Sequence, residues 1–282
     1  MSHASNDRKK VKALPLALAL GLGMTSLAQA QEETISFGED YLIGGSVTSG
    51  TSHIGHGDRH WTFSPMWAFR LGKLKVSRSR ANTLLTAGRG SSETGVTADL
   101  VDKDDYTVSA SLRIDNGRSF DAGHELHGLP DVATTLRVRG AYRYNLSSRW
   151  RVGLYADQDL LDRQGGMRMS TYTTYKLPVG EQSFIGGSMT LAWADKTYLR
   201  SHYGVGNAGA QATGLAVFRP GSGWYDTRLS LDYTHIFNDH WVGFVALNTS
   251  HLMGPVRESP LVGKRNTNAV TVGIAYRNNR RK

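Results

Sequence analysis

Cysteine is absent from the 282-residue chain. That excludes disulfides, thiolate metal sites, a cysteine nucleophile and a lipid-anchoring cysteine. Beyond position 30 there is also no apolar run of about eighteen residues, which excludes transmembrane helices from that part of the chain. A transmembrane β-barrel stays open, because its signal per strand is far weaker. Acidic residues are the minority charge, 24 against 33 Lys and Arg, for a formal net charge of +9. A basic balance can indicate nucleic acid. The N-terminus argues against that partner.

Arg8, Lys9, Lys10 and Lys12 form a positive start, and Ala13 to Leu27 an Ala/Leu-rich stretch too short for a comfortable membrane span. Ala28-Gln29-Ala30 then reads as a small-x-small cleavage site, with the cut between Ala30 and Gln31. Residues 1–30 are therefore expected to be a removed export signal and 31–282 the mature domain. An exported basic chain seldom meets nucleic acid. The phosphates of lipopolysaccharide, or cell-wall polymer, are the expected anionic surroundings.

After Gln31 the hydrophobic pattern has period two. Tyr106, Val108, Ala110, Leu112 and Ile114 alternate with Thr107, Ser109, Ser111 and Arg113. Residues two apart share a face of a strand, so one face is oily and the other polar. The pattern recurs in 132–144, 150–156 and 270–276. It predicts about twelve antiparallel strands: 40–48, 60–71, 73–80, 94–101, 105–115, 132–144, 150–159, 167–177, 183–194, 225–237, 240–252 and 268–277. Between them, short connections (72, 102–104, 145–149, 178–182, 238–239) alternate with long ones (49–59, 81–93, 116–131, 160–166, 195–224, 253–267). That sorting is the sidedness of an outer-membrane barrel, with short turns in the periplasm and long loops outside. An even strand count leaves a periplasmic N-terminal segment, 31–39, and a basic periplasmic tail, 278–282. Aromatics including Trp61, Tyr106, Tyr144, Trp150, Trp224, Tyr225, Trp241 and Tyr276 stand near strand ends, as in an interfacial girdle.

The segment LAWADKTYLRSHYGV at 191–205, Ser259-Pro-Leu-Val262, Asn266 and the final stretch Ala269–Arg277 resemble the MipA/OmpV family, outer-membrane proteins named for an MltA-interacting protein. Gly128-Leu-Pro-Asp131 and Tyr175-Lys-Leu-Pro178 fit as well. The resemblance runs from Tyr41 onward and is most specific over 185–277. It implies a non-enzymatic scaffold in the outer membrane that links murein synthase and hydrolase enzymes. It also implies a terminal aromatic signal for the barrel-assembly machinery. Gly273 and Tyr276 match that signal, but Asn278 stands where a Phe is expected. Either insertion is less efficient, or Tyr276 serves as the aromatic.

Three constellations that could carry chemistry read as polar loop. Asp195 and His202 share the longest loop without a hydrolase-like spacing. His124 and His127 are three apart, not the four that a helical zinc motif needs. His53, His56 and His60 lie beside Gly55 and Gly57, which leave them unpreorganised. No cofactor is expected. The inward face is more informative. Arginine facing lipid would cost about 2–4 kcal/mol at the midplane, so Arg113, Arg137, Arg139, Arg143, Arg151 and Arg168, together with Lys176, are expected in the lumen. Asp157, Asp159, Asp226 and Asp232 should join them. Such a lumen is either closed by Arg–Asp networks or a narrow anion-favouring path. If Tyr144 pairs with Trp150, Arg143 faces Arg151 and Arg137 faces Asp157, which makes the arginine mouth an anion site.

Overall fold

A computed structural model describes residues 40–55, 58–78, 81, 84, 94–120 and 126–279. The export signal, the segment 31–39 and the last three residues lie outside the described residues.

Twelve antiparallel strands close into one barrel, each paired with its sequence neighbours and the first with the last. They are β1 (Asp40–Thr51), β2 (Arg59–Leu71), β3 (Leu74–Arg78), β4 (Gly95–Asp102), β5 (Tyr106–Asp115) and β6 (Thr135–Asn145). Then follow β7 (Trp150–Asp159), β8 (Met167–Pro178), β9 (Ser183–Ala194), β10 (Gly223–Ile236), β11 (Trp241–Leu252) and β12 (Asn266–Asn279). Closure leaves no unpaired edge, which a chain crossing hydrocarbon cannot tolerate. β12 continues past the strand end read at Arg277, since Asn278 pairs with Tyr41 and Asn279 with Asp40. The tail beginning at 278 is thus partly seam.

The period-two pattern becomes an apolar outer wall. Ile43, Ile114, Leu154, Leu229, Leu247, Val272 and Ile274 are all exposed. An exposed apolar belt of this extent around a closed barrel is a lipid-facing surface. Most of the aromatic girdle sits on it. Tyr225 does not. The register shifts between Trp224 and Asp226, and such a bulge re-aims a side chain. Tyr225 is buried with Tyr198 and Leu199 of the preceding β9–β10 connection.

Inside, the barrel has two unlike halves. On the β11–β12–β1–β2 side, Leu42, Met66, Val242, Phe244 and Ala275 pack with Ala81 and Leu84 from the β3–β4 connection. Alternation alone would have sent these strands' apolar residues to lipid, but both faces here are apolar. The β5–β10 side is polar and holds the candidate site.

Candidate functional site

At the outer end the long loops are knitted together. The β9–β10 connection contains α1 (Lys196–Tyr203) and α2 (Asn207–Thr213). Asp195 is the N-cap of α1, its Oδ1 accepting the Tyr198 N–H at 2.8 Å. Ser201 Oγ donates to Gln164 O at 2.8 Å, Arg118 Nη2 to Ser201 O at 3.1 Å, and Ser259 Oγ to Tyr203 O at 2.6 Å. Gly55 N donates to Leu261 O, and Gly263 N to His53 O. Leu126, Leu129, Val205 and Leu261 bury one another, with Ile54, Phe120 and Phe218 packed around them. Five of the six long connections therefore meet in one cap.

Beneath the cap lies an ion cluster. Asp157 is 1% exposed, and so is Arg137. Asp157 Oδ1 accepts Arg137 Nε at 2.6 Å and Arg168 Nε at 2.9 Å, and its Oδ2 accepts Arg139 Nη2 at 2.6 Å. Asp115 adds a second carboxylate, 3.7 Å from Arg137 and 3.6 Å from Arg168. Arg139 stacks on Tyr155 at 3.7 Å, and Arg168 lies 5.0 Å from the ring of Tyr198. Leaving a buried guanidinium donor without a partner is costly, and among the described residues of this cluster Arg139 Nε is such a donor. Arg137 spends its remaining N–H groups on the carbonyls of Gly165 and Gly166, at 2.8 and 2.9 Å. The loop that presents those carbonyls is shaped by Asp159, which accepts the N–H groups of Leu161, Arg163 and Gly165. A Cβ on Gly165 would lie 2.8 Å from Arg137 Nη1, so a larger residue there must displace the Arg137 guanidinium.

A cavity of about 740 Å³ continues from this cluster toward the short-turn end. Arg113, Arg139, Arg143, Arg151, Arg168 and Lys176 line it, with Asp157, Asp226 and Asp232. Arg137, by contrast, is wholly enclosed by the cluster. All six arginines expected in the lumen thus face inward. The register expected for β6 and β7 is wrong by two residues. Arg143 is opposite Gly153, Arg151 opposite Asn145, and Arg137 opposite Asp159. The turn is the cause. Ser147 Oγ accepts the N–H of Trp150 at 3.0 Å, and Ser147 N donates to Trp150 O at 3.2 Å. This folds 147–150 into a tight turn on the β7 side and moves the pairing along. A two-residue offset preserves the face of every side chain. Arg137 consequently reaches Asp157 diagonally, and Arg143 Nη2 donates to Thr107 Oγ1 at 2.8 Å rather than confronting Arg151.

The histidines fall apart as a group. His53 faces the lumen and bonds Lys264 O, Ser250 Oγ and Thr267 Oγ1. His60 is exposed on β2, and His56 and His124 lie outside the described residues. His127 Nδ1 approaches Phe120 O at 3.4 Å. His202 stacks on Tyr198 with ring centroids 4.1 Å apart. Asp195 and His202 thus hold the cap together. The helix itself escaped the period-two reading, although Asp195 before it and Gly204 after it are cap residues visible in the sequence.

The family model described as MltA-interacting protein MipA matches residues 43–278. No curated protein matches the sequence. Among solved structures, the KdgM porin is similar with a TM-score of 0.41 and 8% identity, over 83% of this chain and 98% of that one. The NanC porin gives 0.39 and 11%, over 84% and 98%. The COG4313 outer membrane channel from Pseudomonas putida F1 gives 0.40 and 11%, over 88% and 99%.

Proposed function

Because the chain belongs to the MipA family, as an outer-membrane barrel, we propose that it is a non-enzymatic scaffold whose periplasmic face holds murein synthase or hydrolase enzymes. The observation that carries this reading is the packing of loops and ion cluster at the outer end of the lumen. The cap knits five loops, and the cluster beneath it buries Arg137 and Asp157 almost completely. A barrel covered on its outer side leaves its short turns to work with. In this reading those turns face the periplasm, where murein enzymes act.

The experiment is in-cell crosslinking from Asp104, Ser148 and Asp239, one in each of three short turns, with the captured proteins identified. Recovery of a murein enzyme from these positions, and not from Asn207 in the outer cap, supports the scaffold. Recovery of none from any turn contradicts it. One observation favours a second reading, a narrow path for anions: the basic cavity below the cluster. Conductance separates the two, since a scaffold needs no passage.

A further inference from the structure

The inner half of the lumen has an unbalanced charge. Four cations are contributed by three adjacent strands and the turn between two of them. Arg143 lies on β6, Arg151 on β7 and Lys176 on β8, and Arg149 sits in the β6–β7 turn. All four line the same cavity. They are tied into one surface, because Lys176 N donates to Arg149 O at 3.0 Å and Arg151 pairs with Thr174 of β8.

The acids are placed elsewhere. Asp157 is engaged by three arginines in the outer half, and Asp226 accepts Arg228 at 3.1 Å near the start of β10. Of the acids lining the cavity, only Asp232 lies in the inner half. It is opposite Gly186, which is also opposite Lys176. A Cβ at Gly186 would fall 2.8 Å from Asp232 Oδ1, so the Asp232 carboxylate lies directly over this glycine. Asp102 is one step back from the cavity, accepting Thr107 Oγ1 at 2.9 Å while that same oxygen accepts Arg143. Thr107 therefore steers the guanidinium without cancelling it. Lys176 is held over the ring of Phe184 at 3.9 Å, a contact that fixes the ammonium against the wall.

We propose that this inner half of the lumen is a binding site for a small carboxylate- or phosphate-bearing solute that enters from the periplasm. Arg143, Arg151 and Arg149 are its principal donors. Guanidinium groups present planar paired donors that match both anions. Low-dielectric walls on either side strengthen the field at the site. The assignment is independent of the docking of murein enzymes. Its ligand is a solute, and it does not need the barrel to conduct.

The test uses the full mature chain, folded in a neutral detergent and titrated calorimetrically with inorganic phosphate, with citrate and with neutral trehalose. Saturable binding of phosphate or citrate, but not trehalose, that weakens as sodium chloride is raised is the expected result. Phosphate binding without citrate binding would assign the site to phosphates, and the reverse to carboxylates. Arg143→Gln with Arg151→Gln should lower affinity by about tenfold or more. Arg257→Gln, exposed in the outer cap and outside the cavity, should leave it within about twofold. Retained heat-dependent mobility in detergent gels shows that the variant barrel has closed. If the double variant fails that check, Arg149→Gln, in an exposed turn, replaces it. Absence of saturable anion binding, or affinity unchanged in a folded variant, overturns the proposal.

Discussion

Arg137 and Asp157 stand on neighbouring strands two positions out of direct register, yet Arg137 Nε lies 2.6 Å from Asp157 Oδ1 with both side chains buried. The diagonal is possible because Arg137 is long enough to reach past its directly opposite residue, Asp159, which serves the loop instead.

This geometry makes Asp157 the keystone of three arginines. Asp157→Asn removes the negative charge but keeps the volume, leaving buried cations without compensation. Breaking a buried pair in this way typically costs about 3–5 kcal/mol. The variant is expected to unfold at clearly lower urea in detergent than the parent, followed by tryptophan fluorescence. An unchanged midpoint would mean that solvent reaches the cluster.

The seam between first and last strand offers a steric test. Gly44 is opposite Ala275, and a Cβ there would lie 2.4 Å from Ile274 O and 2.5 Å from Ala275 Cβ. Even Gly44→Ala must push β1 from β12. The expected loss is about 1–3 kcal/mol, as for overpacked interiors. It should appear as a smaller fraction of heat-modifiable barrel after refolding.

Much of this barrel was legible because lipid imposes period two on strands such as β5, where Leu112 and Ile114 alternate with Ser111 and Arg113. The inward arginines followed from the same alternation. What the pattern could not reach was register. Shifting β6 against β7 by two residues leaves the pattern unchanged, and the decisive group was the Ser147 hydroxyl in the turn. Nor could it show that Val242, Phe244 and Ala246 face the lumen, because Val245 and Leu247 on the other face of β11 are equally apolar. The cap was hidden for a different reason. Its contacts join loops far apart in sequence, such as Ser259 with Tyr203.

The cap should respond to acid. Burial against Tyr198 pulls the His202 imidazole down to about 4, and the hydrogen bond to the Tyr198 carbonyl only partly offsets this. The folded cap therefore prefers neutral His202. Its contribution is present above the unfolded value of about 6.5 and is lost as pH falls toward 4. Proteolysis of the 195–222 loop in the purified protein is expected to speed up across that window. His202→Gln should flatten that part of the profile. A profile unaltered by the substitution would assign the acid response to other groups.

Sidedness has its own check. Trypsin added to intact cells is expected to cut in the outer loops, at exposed Lys196, Arg257 or Lys264, and to spare Arg149 in the β6–β7 turn. Permeabilising the outer membrane should then expose Arg149. Cleavage at Arg149 in sealed cells would invert the topology.

Planar-bilayer recording tests the central claim, a barrel stoppered at its outer end, most directly. The purified mature chain is expected to give no steady ohmic current in molar potassium chloride, while removal of 196–222 together with Arg137→Ala and Asp157→Ala should open one. A steady conductance from the unaltered chain would contradict closure and favour the anion path.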